Sequence, residues 1–222
     1  MINGSDTHDP TKFNWPSRLC FMDDDTMLVC DMPDNCVQRL THTGELVSSV
    51  HAERPVSIAT YGDMVAVSTE SGTIEIHLLS SSVPMLNHRF GMRGEGPGQF
   101  DTCAIIVRFT PDGSRLLAVD RSMRRLFLRL FTVDGVFIRC TTVGSDICTG
   151  ISKDVACGTG GEIIVADCDS HRICVLSPNC KSRLKAWGSE GTDPAQFEYP
   201  RAFAISGPYL YVLDSTRVQV FE

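Results

Sequence analysis

Phe90-Gly-Met-Arg-Gly94-Glu-Gly-Pro97-Gly-Gln99-Phe100 opens the stretch that decides how this chain folds. An apolar run follows, then Pro111-Asp-Gly113, Leu116-Leu-Ala-Val119-Asp120 and Arg125-Leu-Phe-Leu-Arg-Leu-Phe131. In physical terms the order is a glycine-rich approach loop, a buried strand, a tight turn, a second strand ending in aspartate, and a third opening with arginine. The same parts recur on either side. Asp120, Asp167 and Asp214 stand 47 residues apart, after Leu117-Ala-Val119, Ile164-Val-Ala166 and Tyr211-Val-Leu213. Positions 97 apart match without gaps, pairing Phe90 with Trp187, Gly91 with Gly188, Gly94 with Gly191, Pro97 with Pro194, Gln99 with Gln196 and Phe100 with Phe197. Met27-Leu-Val-Cys30-Asp31 is an earlier copy, and Met64-Val-Ala-Val67-Ser68 is one in which serine replaces the acid.

Self-similarity at this period predicts a repeat architecture. Five units follow, at about residues 14–50, 54–89, 90–144, 145–187 and 188–222. Asp134-Gly135 before Val136-Phe-Ile-Arg-Cys140, like Thr43-Gly44 before Glu45-Leu-Val-Ser-Ser-Val50, signals a hairpin into a fourth strand. No helical period of useful length intervenes. The expected fold is all-β, a β-propeller of five four-stranded antiparallel blades, because a lone blade cannot cover both its faces and must stack on its neighbours. Val107, Phe109, Leu117 and Val119 are expected between blades. Asp31, Asp120 with Arg125, Asp167 with Arg172, and Asp214 with Arg217 are expected to be structural, each carboxylate meeting a guanidinium across a hairpin.

The 222 residues carry a formal net charge of -7, unevenly spread. Residues 89–139 hold nine arginines against five acidic residues, whereas the first 88 hold four basic against twelve acidic. This predicts a soluble acidic protein with one basic sector. No apolar stretch approaches the length of a membrane span, and the polar start Met1-Ile-Asn-Gly-Ser-Asp6 lacks the features of a secretory signal. Several of the ten cysteines (Cys30, Cys157, Cys174) lie inside apolar runs, where a thiol behaves as a small hydrophobe. The expected compartment is intracellular and cytoplasmic, with reduced thiols and no membrane contact.

The repeat resembles the NHL family of β-propellers, whose pattern runs glycine-rich loop, Gln-Phe, Pro, strand, Val-x-Asp, Asn-x-Arg-Ile/Val, strand. The matching residues are Gln196-Phe197, Pro200, Tyr211-Val-Leu-Asp214 and Arg217-Val-Gln-Val-Phe221, and Asp167-Cys-Asp-Ser-His171-Arg172-Ile173. Unit one departs by placing Cys36 where the arginine belongs, and unit two lacks both partners. The resemblance implies six blades where five are counted. The third strand of unit five ends at Phe221, so its outer strand must come from elsewhere. A closed five-bladed ring, residues 14–222 with residues 1–13 supplying that strand, is favoured over an open array completed by unseen sequence or by a partner.

The resemblance further implies a non-catalytic scaffold that binds a protein partner through its loop rims. Candidate rim segments are Asp23-Asp24-Asp25, Glu70-Ser-Gly72, Met92-Arg93-Gly-Glu95 and Arg121-Ser-Met-Arg124, with Arg93, Arg121, Arg124 and Arg129 as the partner-binding residues. The alternative is single-stranded RNA on the arginine-rich sector, with Phe127, Phe131 and Phe137 as stacking platforms. A third reading is an enzyme, since related propellers include a zinc-dependent amidating lyase and calcium-dependent lactonase-like hydrolases, built around the axis. Against it, the expected innermost strands offer one carboxylate, Asp154, and no histidine. Neither a Cys-x2-4-Cys pair nor a Gly-x-Ser-x-Gly elbow is present. No catalytic residue, cofactor, metal or small-molecule substrate is therefore expected.

Overall fold

The computed structural model describes residues 13–79, 84–101, 105–122, 125–144, 147–148 and 152–222, without the side chains of 121, 122, 125, 152 and 153. Its nineteen strands form five antiparallel sheets in chain order. Blade one holds β1 (Pro16–Phe21), β2 (Met27–Asp31), β3 (Cys36–Leu40) and β4 (Leu46–His51). Blade two holds β5 (Pro55–Tyr61), β6 (Met64–Thr69), β7 (Ile74–Leu78) and β8 (Met85–Phe90). Blade three comprises β9 (Ile106–Phe109), β10 (Arg115–Ser122), β11 (Arg125–Thr132) and β12 (Phe137–Val143). Blade four comprises β13 (Ser152–Cys157), β14 (Ile163–Asp167), β15 (Arg172–Leu176) and β16 (Arg183–Trp187). Blade five has three strands among the described residues, β17 (Ala202–Ser206), β18 (Tyr209–Leu213) and β19 (Val218–Phe221). The closing strand expected of residues 1–13 falls, but for Phe13, outside the description.

Local chemistry sets the hairpins. Thr41 and Thr132 each close a turn by accepting the N–H of Gly44 and Gly135 at 3.0 Å, while their hydroxyls accept the N–H of Glu45 and Val136. Every strand then alternates its side chains between two faces. In blades one to four the forward face is covered by the next blade. Leu28, Cys30 and Val37 pack on Ile58, Val65 and Val67. Ala66, Ile74 and Ile76 pack on Val107, Leu116 and Ala118. Leu117, Val119 and Leu128 pack on Val155, Val165 and Cys174, and Ala166 and Ile173 pack on Val212 and Phe203. The innermost strands of successive blades lie side by side, β1 on β5, β5 on β9, β9 on β13 and β13 on β17, and surround a central channel. Among the described residues no helix is long and apolar enough to cross a membrane.

The two copies of the approach loop have one geometry. Phe100 and Phe197 are fully buried, and each is joined by a parallel bridge, to Arg93 and to Glu190. Gln99 and Gln196 fold back beneath Gly94 and Gly191, where a Cβ would meet the amide oxygen at 2.2 and 2.0 Å. With φ at +150° and +146°, both positions require glycine on two counts.

Candidate functional site

The repeat aspartates do more than meet arginine. Asp31, Asp120, Asp167 and Asp214 are all buried. Each of three carboxylates accepts backbone N–H groups from the approach loop entering its blade: Asp31 from Asn14 and Trp15, Asp120 from Asp101, and Asp214 from Glu198 and Tyr199. The expected arginine pairs form at Asp167–Arg172 (3.0 Å) and Asp214–Arg217 (3.5 Å). In blade three the partner is Arg129, whose Nη1 donates to Asp120 at 3.0 Å; the side chain of Arg125 lies outside the description. This corrects the expectation for Arg129. Its side chain is 6 % exposed, with its guanidinium beside the rings of Phe100 and Phe127, and cannot present charge to a partner.

Strand direction divides the rim candidates. In an up-and-down blade, the loops between second and third strands share a rim with the loops that join blades. Glu70–Gly72, Met92–Glu95 and the end of β10 at Ser122 therefore lie on one rim, and Arg93 packs against Gly72. Asp23, Asp24 and Asp25 lie on the opposite one. Arg93 is exposed there, while Arg124 and the side chain of Arg121 lie outside the description. The described arginines of the sector are also dispersed. Arg108 faces the axis, Arg115 stands on the opposite rim, Arg89 reaches Glu75, and Arg139 bonds the carbonyl of Pro178. Phe131 is buried, and Phe127 and Phe137 are half-buried.

At the hub Asp154 is fully engaged. Its Oδ1 accepts Arg108 Nη2 at 2.5 Å and its own neighbour Val155 N at 3.0 Å, its Oδ2 accepts Phe203 N at 3.1 Å, and Arg18 stands 3.8 Å away. One carboxylate thus links blades three, four and five beneath a channel of about 880 Å³. Among the described residues no group of three or more His, Cys, Asp or Glu is placed to hold a metal ion.

The surface that stands out is the forward face of blade five. Tyr209, Tyr211, Leu213, Val218 and Val220 lie on it and are 37–57 % exposed. Ala166 and Ile173, the counterparts of Leu213 and Val218 in blade four, are fully buried. Across the opening, blade one presents Leu19 and Phe21 at 58 % and 65 % exposure. An apolar face of this kind marks an interaction surface. Sequence reading passed over it because its alternation is that of an interior blade.

The sequence matches no protein-family model, and no curated protein matches it. Solved structures do resemble it. A chain in the crystal structure of a nidogen/laminin complex superposes with a TM-score of 0.66 at 17 % identity, over 93 % of this chain and 75 % of that one. The β-propeller domain of Cps50 (Swd1) from Myceliophteria thermophila gives 0.63 at 10 % identity, over 93 % and 64 %. A protein of unknown function from Bacteroides caccae gives 0.62 at 12 % identity, over 90 % and 70 %. With five stacked antiparallel blades around a channel, the chain is a β-propeller.

Proposed function

We propose that this chain is an NHL-type, non-catalytic scaffold that binds another protein, and that the forward face of blade five is its principal contact surface. The observation that carries the reading is the row of exposed apolar side chains at Tyr211, Leu213, Val218 and Val220, of which Leu213 and Val218 stand at register positions buried in every other blade. Burying such a face releases roughly 25 cal/mol per Å² of apolar surface. The exposed rim around Met92 and Arg93 is contiguous loop surface that can add specificity. RNA binding is the weaker reading, since the described arginines are spread over the hub, the sheet edge and both rims, and a single strand needs one continuous cationic track. The nine described cysteines are free, which fits a reducing compartment such as the cytoplasm.

The test is site-specific photo-crosslinking in native extract, from position 211 and, as a control, from the exposed turn residue Glu45. The reading predicts one defined protein adduct from position 211 that disappears when Leu213→Asp is added. Equal yields from both positions, or none from 211, would refute it.

A further inference from the structure

Among the described residues blade five has no outer strand, and blade three carries the template for one. Matching Asp120 with Asp214 and following the strand pairing places Phe221 where Phe131 stands. Phe131 touches Phe90 (5.1 Å between centroids) and Phe100 (5.9 Å); Phe221 touches Trp187 (6.0 Å) and Phe197 (5.9 Å). The corner is the same. In blade three it is closed by β12, whose Phe137 packs edge-on against Phe131 at 5.6 Å, and by the turn at Gly135, which lies directly on Phe90. In blade five nothing among the described residues stands in the place of Phe137. A cavity of about 550 Å³ opens there instead, lined by Trp187, Phe221, Tyr209, Pro208, Lys185 and Glu162. Beside it the buried indole N–H of Trp187 has no acceptor among the described residues.

Among the described residues the sheet edge beside this cavity has no partner strand either. Asp214 N–H bonds to Arg217 O, so antiparallel alternation turns the backbone groups of Gln219 and Phe221 toward β18 and those of Val218 and Val220 outward. Among the described residues β19 pairs with β18 alone. Unpaired edge groups beside a half-filled aromatic corner are what an added strand recognises, main-chain bonds giving affinity and pockets giving choice of side chain.

We propose that the outer edge of β19 is a strand-addition site that takes an extended segment of a partner protein, antiparallel to β19. The segment carries a large aromatic or aliphatic side chain that seats against Trp187 and Phe221 as Phe137 seats in blade three. This rests on the protein-binding reading above and deepens it. The edge is continuous with an interface already formed, since Trp187 and Phe221 also pack between blades four and five. That continuity singles out a β-strand over other shapes of partner.

The probe is a fluorescent peptide copying residues 134–143, with Cys140→Ser, titrated by anisotropy into the full chain. The proposal predicts saturable binding and slowed amide exchange in β19. Peptide with Phe137→Ala, or protein with Val220→Pro, should bind about tenfold more weakly or worse, because an anchor aromatic or an outward N–H is lost. The peptide variant leaves the protein untouched, so a folding defect in Val220→Pro cannot mimic the result. No saturable binding, or equal binding by all variants, overturns the proposal. So does binding seen only after deletion of residues 2–12, which would make the chain's own start the occupant. A self-association that the peptide dissociates would make it a second copy instead, and also overturns it. Crosslinking from position 211 reports the open face and not the edge, so either idea can fail while the other stands.

Discussion

Arg129 donates to Asp120 at 3.0 Å from within the sheet of blade three, whereas Arg172 meets Asp167 at the same distance from a position 23 % exposed. The two pairs descend from one repeat position on the acid side, yet their energies should differ. Removing either arginine leaves a buried carboxylate behind, but water can enter the half-open site of Arg172 and not that of Arg129. The cost is therefore about 1 kcal/mol at the first and about 3 kcal/mol or more at the second. Urea unfolding of Arg129→Ala and Arg172→Ala should order them so. Equal losses would mean that the burial of Arg129 is not felt.

Asp154 receives Arg108 from blade three and Phe203 N–H from blade five. Asp154→Ala should destabilise the chain by about 3 kcal/mol, since a buried carboxylate with charged and backbone donors is lost. Hydrogen exchange should quicken first in β17. Unchanged exchange there would place the hub outside the forces that join blades four and five.

Burial raises the carboxyl of Asp214, but the N–H groups of Tyr199, Ser215 and Glu198, followed by Arg217, pull it below its ordinary value. A depressed folded value means that the unfolded chain binds the proton more readily. The stabilisation is therefore complete above the ordinary carboxylate value of about 3.9 and is lost as pH falls through the lower folded value. Stability measured down this acid range should fall less steeply for Asp214→Asn than for the parent. An identical slope would remove Asp214 from the linkage.

Burial raises the thiols of Cys20 to about 12 and of Cys157 and Cys180 to about 11, with nearby arginines opposing this only weakly. The thiol of Cys140 is raised by partial burial as well, but it is the one described cysteine that is exposed. A short iodoacetamide pulse at pH 8, read by mass spectrometry, should label Cys140 ahead of the other described cysteines, because reaction needs an accessible thiolate. Rapid labelling of Cys30 or Cys174 would contradict the core packing.

The blades were legible because strand alternation and glycine turns are local, and a repeat multiplies a weak signal. Asp120-x4-Arg125 and Asp167-x4-Arg172 read alike, yet their registers differ. In blade four a 3-10 turn at Cys168–Ser170 sets Arg172 opposite Asp167. In blade three the strands run on to Ser122, which faces Arg125, so Phe127 stands opposite Asp120 and Arg129 reaches the carboxylate. Spacing alone does not encode that longer hairpin. Likewise the arginines of residues 89–139 are neighbours in sequence, but antiparallel strands send neighbours to opposite faces and rims. Nor is the exposure of Val218 written in its own strand, since burial depends on whether another blade follows.

Val218 and Ile173 occupy one register position in successive blades, the first 57 % exposed and the second fully buried. The most direct measurement is the unfolding free energy of Val218→Asp beside that of Ile173→Asp. An open face predicts a change within about 0.5 kcal/mol for Val218→Asp, and a loss above about 3 kcal/mol for Ile173→Asp, where a carboxylate is forced into the core. Comparable losses at both positions would mean that the chain covers this face itself, and the proposed contact surface would not exist.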